Sequence, residues 1–381
     1  MNFIVFSDDW GRHPSSCEHL IRGLLPEHKI IWVNTIGYRR PSLSYYDVKR
    51  SLAKIFSWFG PAAGHSGNEW PANLLVVSPV IIPYNNIRFI RRFNRIMVRK
   101  AIAKSLAKMR IEIYVLLSSL PNVSEFYRDH PNSLKIYYCV DDFTQFPGVD
   151  KQMITEMERE LIDSCDLILY TAGYLEKKFS SSKKKIHYFP HGVDFDHFDR
   201  INTNKETAVG RKPVIGFFGY LSQWIDLDLI AKIAETRPDW EIVLIGGTDQ
   251  NIDCLKRFNN VSLTGAVKYD RLPALASNFD VGIIPFKINE LTRAVNPLKF
   301  LEYMAMGIPA VSTPLPELVR FGDHVYLADD HRDFIAKIER ALKEDDSDRR
   351  KRRVELAGEN SWASRSKELI GMIESINKYP R

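Results

Sequence analysis

The chain is poor in cysteine: Cys17, Cys139, Cys165 and Cys254 are its only four in 381 residues. They are scattered and form no CxxC pair, which argues against a disulfide framework and against a zinc site and fits a reducing compartment. Long apolar runs are also missing. The longest candidate, LLVVSPVII at 74–82, falls far short of the roughly 20 residues that span a bilayer and reads as a core strand. The N-terminus MNFIVFSDDW has neither a basic leader nor a small-residue cleavage pattern, so it reads as a buried strand and not as a signal peptide. No DxD motif stands where a metal-binding loop would be; Asp194–Phe195–Asp196 has the letters but lies in a junction-like stretch and reads as structural. A soluble or peripheral cytoplasmic protein with no resident metal or cofactor is therefore expected.

What is present is ordinary globular material, 45% hydrophobic and 26% charged with a net charge of +6. The length suggests two domains of roughly 150–200 residues. Short β-branched runs alternate with helical patterns almost throughout, which predicts parallel sheets covered on both faces. Strands are expected at Phe3–Phe6, Ile30–Val33, Leu74–Ser78, Ile113–Leu117, Lys135–Cys139, Leu167–Tyr170 and Ile186–Phe189. A second set is expected at Val214–Phe218, Glu241–Ile245, Val261–Leu263, Val281–Ile284, Ala310–Ser312 and His324–Leu327. Helices are expected at 152–164, 226–236 and 332–343. The alternation breaks at 191–213, a polar, turn-rich stretch, so the expected domains are 1–200 and 201–355. A last helix in 356–381 is expected to pack back on the first domain. The run DDSDRRKRR at 345–353 reads as a solvated surface. The fold class is α/β, two doubly wound Rossmann-like domains facing a cleft, where ligands of such sheets are expected.

Four strand–turn–helix units make up the second half. VIGFFGYL puts Gly219 and Tyr220 after a strand, and IVLIGGTD does the same with Gly246. Glycine at such a turn lets backbone approach a phosphate, and the helix N-terminus favours its charge. A simple tight turn explains either one equally well. A third strand ends at Gly265, before Ala266 and Val267. The fourth unit, NPLKFLEYMAMGIPAVST at 296–313, carries most. Asn296 can cap a helix and Pro297 suits its first position, followed by Leu298. Lys299 and Glu302 share one face of its first turns. Free N–H groups, a cation and a carboxylate suit a nucleoside diphosphate, Lys299 for the diphosphate and Glu302 for ribose hydroxyls. A plain surface ion pair is the alternative.

These units together resemble the donor-binding half of GT-B glycosyltransferases, especially the family 4-like group and relatives of the teichuronic acid and xanthan glucuronosyltransferase enzymes. YYCVDDF at 137–143, CDLILYTAGYLEKK at 165–178 and FPHGVDFDHF at 189–198 extend the resemblance into the first half, with His191 where the family commonly has Asn. The resemblance implies a metal-independent transfer from a nucleotide sugar, UDP-linked by analogy, to a glycan or glycolipid hydroxyl. By position, Glu302 corresponds to the ribose-binding glutamate and Lys299 to the diphosphate lysine. Gly219 and Tyr220 correspond to the phosphate loop, and the backbone near Ala266–Val267 to the base site. Two departures stand out: Ala294 replaces the family's other glutamate, and YLSQWID at 220–226 lacks the usual Arg and Lys.

For catalysis, Asp141 and Asp142 directly follow a strand and are the candidate bases, Asp141 first. Adjacent carboxylates there shift each other's pKa, although either could instead cap a turn. The loop SDDWGRHPSS at 7–16 offers Asp8, Asp9, Gly11 and Arg12 to an acceptor or phosphate, and His13 as a rival base. Residues 87–110 hold nine Lys and Arg and no acid, interleaved with Phe89, Phe93 and Ile96. This basic amphipathic pattern predicts an anionic inner-leaflet contact through Arg88, Arg91, Arg92, Arg95 and Arg99, aided by the basic and aromatic stretch 37–60. A helix packed on its own sheet is the alternative. Nucleic acid is not expected, because no recognition motif accompanies the charge. A nucleotide-sugar epimerase or hydrolase on the same fold, and a non-catalytic membrane-associated subunit, are the rival functions.

Overall fold

In a computed structural model, the described residues are 1–12, 14–34, 70–82, 88–146, 148–199 and 211–376. His13 and the stretch 37–60 lie outside them, as does the side chain of Arg88. The chain divides into two compact units. One comprises Met1–Thr171, Leu175–Phe189 and Ser366–Arg381; the other comprises Ala172–Tyr174 and Pro190–Arg365. The division falls at Pro190, upstream of the expected 200–212. The reason is local: Val193 donates its N–H to Asn360 O and accepts from the Trp362 N–H, so the start of the polar stretch is tied to the far end of the second unit.

The first unit is built on β1 (Asn2–Phe6), β2 (Lys29–Val33), β3 (Leu74–Val77), β4 (Val115–Ser118), β5 (Lys135–Cys139), β6 (Leu167–Tyr170) and β7 (Lys185–Tyr188). They form one sheet in the order β3-β2-β1-β4-β5-β6-β7, with every pairing parallel. Strands β4, β5 and β6 are buried along their whole length, which is why they read as continuous apolar runs and not as alternating ones. The strand expected from Ile113 begins at Val115, and Ile113 itself is exposed. The helix Trp362–Ser375 returns to this unit where Ser366 Oγ donates to Leu20 O at 2.8 Å.

The second unit holds β8 (Val214–Phe218), β9 (Glu241–Ile245), β10 (Val261–Gly265), β11 (Val281–Ile284), β12 (Ala310–Ser312) and β13 (Val325–Leu327), ordered β10-β9-β8-β11-β12-β13 and again all parallel. In each sheet the strand order reverses beside the first strand of the unit, between β1 and β4 and between β8 and β11. In sheets of this kind ligands usually bind beyond the carboxyl ends of the strands at such points. The run 345–353 is not simply solvated surface. It enters a helix, Ser347–Glu359, and Arg353 is buried, donating from Nε to Gly307 O at 2.9 Å and pairing with Asp345.

Candidate active site

In the second unit the carboxyl ends of β8, β9 and β10 converge through glycine. Gly219 has φ +143° and Gly246 φ +153°, backbone that a side chain rarely adopts. A β-carbon on Gly246 would lie 1.8 Å from Gly219 O, and one on Gly247 would lie 3.3 Å from the Tyr220 ring and 3.8 Å from Ala266 Cβ. Tyr220 is half exposed, and Val267 packs partly against the core.

The helix Leu298–Ala305 follows β11 and faces the same edge. Pro297 is its cap residue, and no side chain caps it. Asn296 therefore does not cap: its buried amide donates from Nδ2 to Glu317 Oε2 at 3.4 Å. The uncapped N–H groups of the first turn give this end a partial positive charge. Lys299 lies against Gly219, 5.7 Å from the Phe218 ring centre and 3.6 Å from Glu302 Oε2. Glu302 Oε2 is buried and has no hydrogen-bond partner. Leaving a buried acceptor oxygen without a hydrogen bond is costly even beside the Lys299 ammonium. The buried Thr313 Oγ1, just past β12, is also without a partner.

Tyr269 was not singled out by its sequence context. Its hydroxyl donates to Asp194 Oδ2 at 3.4 Å and its ring stacks on His197 at 4.2 Å. Burial pushes that hydroxyl far above its usual range, with the charges of Glu302 and Asp194 adding to the effect. Asp194 thus works within the unit, its carbonyl accepting from the His197 and Phe198 N–H groups.

In the first unit the two candidate aspartates separate. Asp142 caps the turn Phe143–Gln145: its Oδ1 accepts from Thr144 N at 3.1 Å, Thr144 Oγ1 at 2.7 Å and Lys178 Nζ at 2.8 Å. Burial raises its pKa, but Lys178 and Thr144 outweigh that and hold it below the usual carboxylate range. Desolvation, with the neighbouring carboxylates Asp142 and Asp8, pushes Asp141 up to about 7. A carboxylate in that range suits proton acceptance near neutral pH. Asp142 caps the turn through Oδ1, which accepts all three of these bonds.

Two further expectations are corrected by the hydrogen bonding. The Gly11 N–H donates to the buried Glu18 Oε2 at 3.0 Å, so it is not offered to a phosphate. Arg12 is half exposed and lies 4.0 Å from Asp9. On the helix Arg88–Met109, Arg91 pairs with Glu125 at 2.9 Å, and Arg95 donates from Nε to Asp129 at 3.0 Å. Arg99 reaches Asp129 at 3.7 Å. Three of the five arginines expected at a membrane thus serve ion pairs within the unit. The helix instead exposes Phe89, Phe93 and Ile96 beside Arg92 and Lys100. No described helix is long and apolar enough to cross a membrane.

Comparison with known proteins bears on family and fold. Residues 212–344 match the family model described as glycosyl transferases group 1. TuaH of Bacillus subtilis (strain 168), assigned by name to teichuronic acid biosynthesis as a glycosyltransferase, is 29% identical over 251 residues, covering 60% of this chain and 63% of TuaH. The match thus spans less than two thirds of that relative's length. Among solved structures, sucrose-phosphate synthase from Thermosynechococcus elongatus is similar with a TM-score of 0.69 at 13% identity, over 99% of each chain. The Anabaena HepE protein, solved with UDP and glucose, gives 0.63 at 12% identity over 98% of this chain and 100% of its own. Residues 212–344 are thus a glycosyl transferases group 1 domain, carried by a chain of the GT-B fold.

Proposed function

We propose that the protein is a glycosyltransferase that moves a sugar from a UDP-linked donor to a hydroxyl of a lipid-linked or polysaccharide acceptor in surface glycan synthesis. The observation that carries this reading is the buried Oε2 of Glu302, which has no hydrogen-bond partner and stands 3.6 Å from Lys299 Nζ, at an uncapped helix N-terminus. Donor atoms for the carboxylate, and negative charge for the lysine and the N–H groups, are the complementary features of a nucleoside diphosphate. The names of HepE, with its UDP and glucose, and of TuaH support the donor and acceptor classes by similarity.

In the proposed reaction Asp141 takes the proton of the acceptor hydroxyl as its oxygen bonds to the sugar's anomeric carbon. The bond from that carbon to the diphosphate oxygen breaks, and its electron pair leaves with the nucleoside diphosphate. Lys299 and the helix N-terminus offset the charge that develops there. The exposed Phe89, Phe93 and Ile96, flanked by Arg92 and Lys100, support docking on an anionic membrane that carries the acceptor.

Thermal-shift titration across nucleotide sugars identifies the donor, since a ligand of the folded state raises its melting temperature. Glu302→Ala is expected to abolish that shift, and Asp141→Asn to preserve it while removing transfer. Binding unchanged in the first variant, or transfer unchanged in the second, contradicts the assignment. Free sugar or isomerised donor formed without any acceptor would favour a hydrolase or epimerase.

A further inference from the structure

We infer that Lys178 and Glu158 are positioning residues that assign the two adjacent aspartates different tasks, Asp142 as an anchored charge and Asp141 as the proton acceptor. The inference rests on the transfer reaction proposed above. Its basis is a buried polar chain behind the end of β5. Tyr137, fully buried in β5, donates its hydroxyl to Glu158 Oε1 at 2.7 Å. The other oxygen of Glu158 lies 2.7 Å from Lys178 Nζ, and Lys178 in turn holds Asp142 Oδ1. Glu158 is 3% exposed, so the Tyr137–Glu158 end of this chain is shielded from water. The strand end itself is pinned where Thr171 Oγ1 donates to Val140 O at 2.8 Å.

Hydrogen bonding differs sharply between neighbours. Asp142 Oδ1 accepts three bonds. No described residue donates to the Asp141 carboxylate. The charged and titratable groups around the pair are Asp8 beyond β1, Glu158 and Lys178 from their helices, and the Cys139 thiol, whose Sγ lies 3.4 Å from Asp141 O. Among the described residues, Lys178 pairs with Asp142 and Glu158 and not with Asp141. Burial opposes the charge of Lys178, but Glu158, Cys139 and Asp142 together raise its pKa, so it stays protonated over the working range. Asp142 consequently remains ionised and acts on Asp141 as a fixed negative neighbour, which makes Asp141 the better proton acceptor of the two.

Asp142→Asn keeps an Oδ1 acceptor for Thr144 and Lys178 and removes only the charge. The acid limb of its kcat/KM profile is expected to move to lower pH by roughly half a unit or more. Should that variant be inactive, aspartate 13Cγ titration reads the Asp141 midpoint directly, with the same downward shift expected. Lys178→Met combined with Glu158→Gln, which avoids a stranded carboxylate, is expected to raise the Asp142 midpoint towards that of Asp141. Lys178→Arg is expected to keep the two apart. An unmoved Asp141 midpoint in the first variant, or an unmoved Asp142 midpoint in the double variant, overturns the inference. Full transfer by Asp141→Asn would overturn the base assignment instead, and the midpoints would still report on the positioning.

Discussion

Gly219 and Lys299 lie so close that a β-carbon on the glycine would stand 2.9 Å from Cε of the lysine. The strand end and the helix that form the proposed phosphate site therefore share one volume. Lys299→Ala is expected to weaken UDP binding by about 10- to 100-fold, the range of a lost charge-assisted hydrogen bond. Gly219→Ala, which strains φ +143° and crowds the ammonium stem, is expected to weaken it in the same direction. Calorimetric titration with UDP checks both.

Ribose recognition is tested by a nucleotide that lacks a hydroxyl. If Glu302 Oε2, which has no hydrogen-bond partner in the chain, receives ribose donors, UDP should bind better than 2′-deoxy-UDP by roughly 1–3 kcal/mol. Glu302→Ala should largely abolish that preference. An undiminished preference in the variant would remove Glu302 from the ribose site.

Asp141 gives stability a pH dependence of definite sign. Its pKa in the folded chain, raised from 3.8 to about 7, means that the native state binds more protons than the unfolded state between those values. Its contribution therefore destabilises the fold progressively as pH rises through that window and levels off above it. Asp141→Asn is expected to be more stable than the unsubstituted chain at pH 8, with the advantage vanishing near pH 4. Urea denaturation at the two pH values measures this.

Gly246→Ala meets a harder obstacle than Gly219→Ala, because the atom in its way is the backbone oxygen of Gly219 at 1.8 Å. A loss of roughly 2–4 kcal/mol in the second unit is expected, read as a lower denaturation midpoint.

Membrane docking and helix stability separate on the helix Arg88–Met109. Replacing Phe89, Phe93 and Ile96 by Ser should cut co-flotation with anionic vesicles by roughly tenfold or more and leave the melting temperature nearly unchanged. Arg95→Gln should do the reverse for stability. It removes the main partner of Asp129, whose side chain is only 9% exposed, at about 1–3 kcal/mol.

The central strands were readable because they are short apolar runs buried on both faces, as Leu167–Tyr170 and Val281–Ile284 show. The helix at 298–305 announced itself through Pro297 and the spacing of Lys299 and Glu302. Partner choice was not readable. What holds the Asp142 charge is Lys178, which lies 36 residues further along the chain. Glu125 and Asp129 come to Arg91 and Arg95 from another helix, so the basic run looked unpaired in its own sequence. Proline at the boundary also misled: Pro297 occupies the cap itself, and Asn296 turns to Glu317.

Arg353 looks like one more cation in a basic run, yet it grips the carbonyl of Gly307, two residues beyond the helix that carries Lys299 and Glu302. A β-carbon on Gly307 would collide with Arg350 at 2.6 Å, so the two segments are fitted to each other. The back of the proposed nucleotide site is thus braced from a stretch that a designer seeking solubility would edit first. Charge-swapping 349–353 as though it were inert decoration would loosen the donor helix from behind, and the loss would surface as poor substrate affinity far from the altered residues.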